Sequence, residues 1–191
     1  MTQSQQDNLV DLLAAVDRGE TGAFNRLVEA VYPELKRLAH FQLAGERPNH
    51  TLNTTAIVHE AYVRLSSGNA NWTDRRHFLR ASAKVMRHLL VDHARKRNAS
   101  KRGSGARNLT LDENRLNNSD DALAVLALEN AIISMKEIDP RLAEIVECRF
   151  FAGLSVKETA EALNTSVRTV ERGSQRARGY LLSALDTDTN E

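Results

Sequence analysis

Apolar residues recur at intervals of three and four along almost the whole chain, the spacing of a buried helical stripe. Leu9, Leu12, Leu13 and Val16 predict a first helix, stopped by Gly19. A second starts near Thr21 and carries Phe24, Leu27, Val28, Val31, Leu35, Leu38 and Leu43, with Pro33 predicting a kink or break near Tyr32. Gly45 to His50 reads as a loop, Thr55 to Leu65 as a third helix, and Ser66 to Asn71 as a turn. Trp72 to Arg97 is a long helical stretch with Phe78, Leu79, Val85, Met86, Leu89, Leu90 and Val91 at its apolar positions. Asn98 to Asn118 holds few large apolar residues and reads as a flexible linker, with Leu109 and Leu111 docking weakly. Periodicity resumes from Ala122 to about Met135, and Asp139-Pro140 opens a helix that ends before Gly153. Two short helices and a polar tail, Asp186 to Glu191, follow. No useful β alternation occurs. The pattern predicts an all-α chain of two small helical domains joined by a flexible linker, over residues 7–97, 98–121 and 122–185.

The length agrees, since 191 residues allow one ordinary domain or two small ones. A single cysteine, Cys148, excludes an internal disulfide framework and a multi-cysteine metal site, and its apolar helix suggests a buried structural thiol. No apolar run approaches the roughly 20 residues of a membrane span. Met1 to Asn8 shows no secretory leader, so a soluble cytoplasmic protein without a membrane partner is expected.

A net charge of +1 is uninformative until it is segmented. Asn71 to Arg107 holds eleven basic and two acidic residues, net +9, whereas Asp112 to Glu161 nets −6. From Thr165 to Arg178 the sign turns positive again, with Arg168, Arg172, Arg176 and Arg178 around one Glu171. Two basic blocks separated by an acidic one suit two contacts with a polyanion. The plain alternative is a pair of solvated helix faces.

The segment Leu154 to Leu182 is the most specific. Ser155 and Glu158 form a capping box, and Val156, Thr159, Ala160 and Leu163 predict a short helix's inner face. Asn164 stands where a left-handed turn residue is needed, and Ser166 is a natural cap for the next helix. That helix has Val167, Val170, Ser174, Ala177 and Leu181 as its inner stripe. Ala160 is small where two helices must cross. Arg168, Thr169, Glu171, Arg172, Gln175 and Arg176 lie on the opposite face, side-chain types that read a DNA groove. The spacing is that of a helix-turn-helix, although an ordinary helical hairpin is the competing reading.

Taken in this order, the motifs resemble an RNA polymerase sigma factor of the extracytoplasmic-function type, over nearly the whole chain. Asp7 to Arg97 is similar to the second sigma domain and Ala122 to Leu185 to the fourth. The resemblance implies that Ala56 to Leu65 docks on the coiled coil of the polymerase β′ subunit, with Ile57, His59, Glu60, Val63 and Arg64 as contacts, and that the β flap is a second partner. It implies that Phe78 to Arg97 is a helix pair that melts and reads the minus-ten element of promoter DNA and holds the melted non-template strand. A base-capturing loop would fall around Ser82 to Met86, with Lys84 at its centre, and Arg87, His88, Asp92 and Arg95 would line the strand-facing side. Thr165 to Arg178 would read the minus-thirty-five element. Trp72, Tyr62 and Phe78 read as core rather than as stacking platforms.

Many members carry acidic residues before the core-binding helix. Thr51-Leu52-Asn53-Thr54-Thr55-Ala56 has none. Phosphate on Thr51, Thr54 or Thr55 would restore about −1.5 to −2 charge at a helix N-terminus. This resembles a subgroup proposed to be switched on by Ser/Thr kinases, so a kinase is a candidate partner, as is an anti-sigma factor. Alternatively, Thr54 or Thr55 is simply the helix cap.

No catalytic constellation is visible. His59-Glu60 starts like a zinc-protease motif, but no second histidine follows at the required spacing, and no cofactor is expected. His88 and His93 are on different faces. Two other functions stay open: a helix-turn-helix regulator acting without polymerase, and a sigma-like interaction protein that no longer initiates transcription.

Overall fold

A computed structural model describes residues 3–43, 53–67, 72–103 and 113–188, with side chains described for 8–43, 53–67, 72–99 and 122–186. The described residues are mostly helical, with short turns between the helices and no strand among them. Helices α1 (Gln3–Asp17), α2 (Ala23–Leu43), α3 (Thr54–Ser66) and α4 (Arg75–Gly103) form the N-terminal half. Helices α5 (Glu113–Ile138), α6 (Pro140–Val146), α7 (Val156–Ala162) and α8 (Val167–Asp188) form the C-terminal half, with a π-helical turn, Glu147–Phe151, after α6.

Three boundaries differ from the sequence reading. Helix α2 runs unbroken through Pro33. The proline faces outward, while Val31, Leu35, Leu38 and Ala39 on either side are buried. Their burial holds the helix together across one missing hydrogen bond. Helix α4 continues to Gly103 and α5 starts at Glu113, so both ends of the expected 98–121 linker are helical. Leu109, Leu111 and the 45–50 loop lie outside the described residues. The polar tail is likewise helical as far as Asp188.

Each half has an apolar core. In the first, Trp72 stacks on Phe24 at 5.7 Å and meets Phe78 edge-on at 5.0 Å between ring centroids. Phe78 and Trp72 are buried and Tyr62 is half-buried, so these aromatics pack rather than present open platforms. In the second, Ile132, Met135, Leu142, Ala143, Val146 and Ala177 cluster together. The two halves do not stay apart. Ile145, Cys148, Ala152, Leu154, Ala160, Leu163 and Val170 join the apolar cluster built from α1 to α4. Helix α4 packs directly on α5 and on the π turn. Cys148 is fully enclosed there, and burial pushes its thiol up to about 11, which makes it a poor nucleophile.

The capping box forms as the spacing predicts. The Glu158 amide donates to Ser155 Oγ at 3.2 Å, and the Ser155 amide donates to the Glu158 carboxylate at 2.8 Å. Hydrogen bonds from the Ser155 side chain, then from its backbone, hold the Glu158 carboxyl below the ordinary glutamate range. A depressed folded-state value stabilises the fold above the unfolded value of about 4.3 and loses that contribution as pH falls through the folded value. Ser155→Ala is therefore expected to cost about 0.5–2 kcal/mol at pH 7 and to flatten the loss of stability on acidification. Urea titrations of both proteins at pH 7 and below pH 4 check this. Equal pH dependence in the two proteins would refute it.

Candidate nucleic-acid interface

The helix-turn-helix is built from α7, a four-residue turn and α8. Asn164 adopts φ 47, the left-handed conformation the turn requires. The Thr165 amide returns to the Ala160 carbonyl at 2.8 Å, and Arg141 donates to the Leu163 carbonyl, so the turn is pinned from two sides. Ser166 Oγ accepts from the Thr169 amide at 3.1 Å and caps α8. Ala160, Val170 and Ala177 are buried, as the spacing predicts. Val167 is not part of the inner stripe, being 41% exposed beside the cap. Gly173 takes that role instead: a Cβ there would sit 2.4 Å from Ile145 Cδ1 and 3.7 Å from Leu142 Cδ1. A larger residue there would have to displace the Ile145 terminal methyl, so the glycine eases the close approach of α8 to α6.

The packing leaves all six expected reading residues, Arg168, Thr169, Glu171, Arg172, Gln175 and Arg176, on the exposed side of α8. Arg176 reaches back to Asp139 at 3.4 Å but keeps 68% of its side chain in solvent. An exposed pair of this kind holds the side chain weakly and leaves it available to a stronger anion.

Helix α4 is more divided. Lys84 and Arg95 are exposed, and His88 and Asp92 are half-buried. These four recur at intervals of three and four, so they share one face. Burial first, then the positive charge of Arg87, lowers the His88 imidazole below its usual range, so it is neutral at pH 7. Asp92 pairs with Arg64 of α3 at 3.0 Å, which ties the expected polymerase-docking helix to the expected minus-ten face.

Three expectations on these helices are corrected. Residues 82–86 form no loop, because they lie inside one unbroken α4. The Ser82 hydroxyl donates to the Phe78 carbonyl at 2.8 Å, and Ser82, Ala83 and Met86 are buried. The expected helix pair is this single helix. Second, Arg87 does not line an open face. It is 7% exposed, paired with Glu129 of α5 and lying 3.5 Å from Glu147 of the π turn. Its guanidinium also lies 5.3 Å from the centre of the Phe151 ring. Third, Ile57 is fully buried in the core and cannot contact a partner, whereas His59, Glu60, Val63 and Arg64 are exposed.

The sequence reading missed Glu129, Glu147 and Phe151 because they are far along the chain from the helix they cover. The acidic block between the two basic ones was the available clue.

Thr51 lies outside the described residues. Thr54 is half-buried and Thr55 exposed, but neither caps α3. Asn53 does, accepting from the Ala56 amide at 2.8 Å, so the capping alternative for the two threonines is wrong.

Among the described residues, no helix is long and apolar enough to cross a membrane. No solved structure matches the chain. The ECF RNA polymerase sigma factor BldN of Streptomyces coelicolor is 24% identical over 187 residues, covering 97% of this chain and 69% of that protein. The family model described as ECF sigma factor matches residues 6–187. With that match spanning both helical halves, the chain belongs to the ECF sigma factor family.

Proposed function

We propose that this alternative sigma factor brings core polymerase to its promoters through two DNA contacts, one on each side of the 98–121 segment. The observation that carries the reading is the exposed face of α8, where six groove-reading side chains stand on a capped helix-turn-helix. In this reading residues 122–185 hold the minus-thirty-five element and the β flap. Residues 7–97 hold the β′ coiled coil through His59, Glu60, Val63 and Arg64, and the minus-ten strand through Lys84, His88, Asp92 and Arg95. Lysine and arginine neutralise phosphates and supply salt-dependent affinity, and base contacts supply the choice of site. The factor performs no catalysis of its own and works in the cytoplasm.

Promoter-specific run-off transcription with purified core polymerase tests the reading. Its templates are upstream regions of transcripts enriched on overexpression. Binding to those regions without core, and no transcript with core, would favour a regulator that works alone. Failure to bind either core or promoter would favour a sigma-like interaction protein.

Phosphorylation is the finer part of the proposal. The stretch before α3 has no carboxylate, and α3 begins at an Asn53 cap whose N-terminus favours added negative charge. Thr51 is the first candidate for a Ser/Thr kinase, with Thr54 and Thr55 behind it; an anti-sigma factor would be a separate level of control. Thr51→Glu is expected to raise core retention in a pull-down by about tenfold over Thr51→Ala, the scale of one charge-assisted contact. Equal retention and equal transcription by the two variants would remove Thr51 as the switch.

A further inference from the structure

The most unusual group in the protein is Arg87. A guanidinium on the basic helix α4 is 7% exposed and is paired through its terminal nitrogens with carboxylates from the other half of the chain, while its buried Nε has no partner among the described residues. Glu129 is itself buried, at 8% exposure. The contact does not stand alone. Arg76, at the start of α4, pairs with Glu161 of α7. Gln42 of α2 donates to the Ala83 carbonyl at 3.1 Å and to the Phe151 carbonyl at 3.5 Å, bridging α4 and the π turn. Leu154, Leu163 and Val170 continue the seam into the N-terminal apolar cluster.

We propose that this seam is an autoinhibitory clasp, in which three carboxylates of the C-terminal half, Glu129, Glu147 and Glu161, occupy arginines of α4 that would otherwise meet nucleic-acid phosphates. The role of the clasp in transcription rests on the proposed reading of α4 as the minus-ten face. A carboxylate and a phosphate make the same charge-assisted contacts to a guanidinium, so the glutamates and the DNA backbone compete for the same donors. The clasp is also conditional. A buried arginine is tolerated only while its counter-charges stay in place, and removing them favours exposure of the cation. Opening would release Arg87 and Arg76 and part the two DNA-reading surfaces.

The test uses the full chain and two independent variants. Glu129→Gln/Glu147→Gln removes the buried partners, and Glu161→Gln removes the partner at the exposed rim without touching the core. Glu29→Gln/Glu137→Gln, both exposed and away from the seam, matches the charge change of the double variant. Small-angle scattering reads the shape, and anisotropy of a 30-mer oligodeoxythymidine over a salt series reads phosphate contact. The wild type is expected to have a radius of gyration of about 16 Å, that of a single compact chain. Glu129→Gln/Glu147→Gln is expected to be larger, to bind the oligonucleotide about tenfold more tightly, and to steepen its log–log salt slope by about 0.7 per released arginine. Glu161→Gln should show a few-fold gain in the same direction.

An extended wild type overturns the clasp. So does expansion without tighter binding, or an equal gain in the matched control. Run-off transcription with core polymerase separates the two readings. If no variant supports it while scattering and oligonucleotide binding respond as expected, the clasp stands and the sigma-factor assignment of α4 falls.

Discussion

Arg168→Ala/Arg172→Ala is expected to cut promoter-specific transcription by at least about thirtyfold while leaving the fold intact. The two side chains lie one helical turn apart on the exposed face of α8. A good arginine contact to a base edge contributes about 1–3 kcal/mol of discrimination, so two amount to about 2–6 kcal/mol. Exposed side chains contribute little to stability, about 0.5 kcal/mol or less each, so the melting temperature of the double variant should move by no more than about 4 °C. Binding at several salt concentrations shows which contact each arginine makes. Loss of a phosphate contact lowers the salt slope by about 0.9 and weakens every sequence alike, whereas loss of a base contact relaxes selectivity at one position. Unchanged transcription from minus-thirty-five-dependent promoters would show that α8 does not read them.

Phe78→Ala is expected to be the most damaging single truncation for stability. The ring is fully buried and packs edge-on against Trp72, which stacks on Phe24. Truncating such a ring costs about 3–5 kcal/mol, a large part of the 5–15 kcal/mol that holds a typical domain. For a chain of this size the midpoint should fall by about 6–20 °C, read by circular dichroism at 222 nm. Phe41→Ala is the comparison, since Phe41 is 56% exposed and should change the midpoint little. Because the apolar cluster crosses from one half to the other, the helicity of both should be lost together. Two separated transitions would show that the halves unfold independently.

The local grammar of the helices was legible in the residues. Ser155 with Glu158, Asn164, Ser166 and Asp139-Pro140 each act on neighbours within four positions, and each forms the cap or turn its spacing predicts. The outward face of α8 was legible for the same reason. What periodicity could not supply was competition between distant segments. Pro33 signals a break locally, but the buried residues on either side of it outweigh one lost hydrogen bond. Arg87 belongs to a basic run, yet it is covered by Glu129, forty-two positions away. Ile57 sits in a motif that resembles a docking helix, but it also falls on the apolar stripe with Val58, Ala61 and Leu65, and the stripe, not the resemblance, gives its place in the core. The capture loop at 82–86 was misplaced because a resemblance carries order along the chain more faithfully than it carries helix ends.

The close seating of Gly173 on Ile145 separates two kinds of constraint within one helix. The inward residues of α8, with Gly173, Val170 and Ala177 at the contact, are buried, and enlarging them forces neighbours such as the Ile145 side chain to give way. The outward residues carry almost none of that packing and can be rewritten one at a time. Under the proposed function, promoter preference can therefore change through small outward substitutions while the inward contacts keep the helix seated on α6.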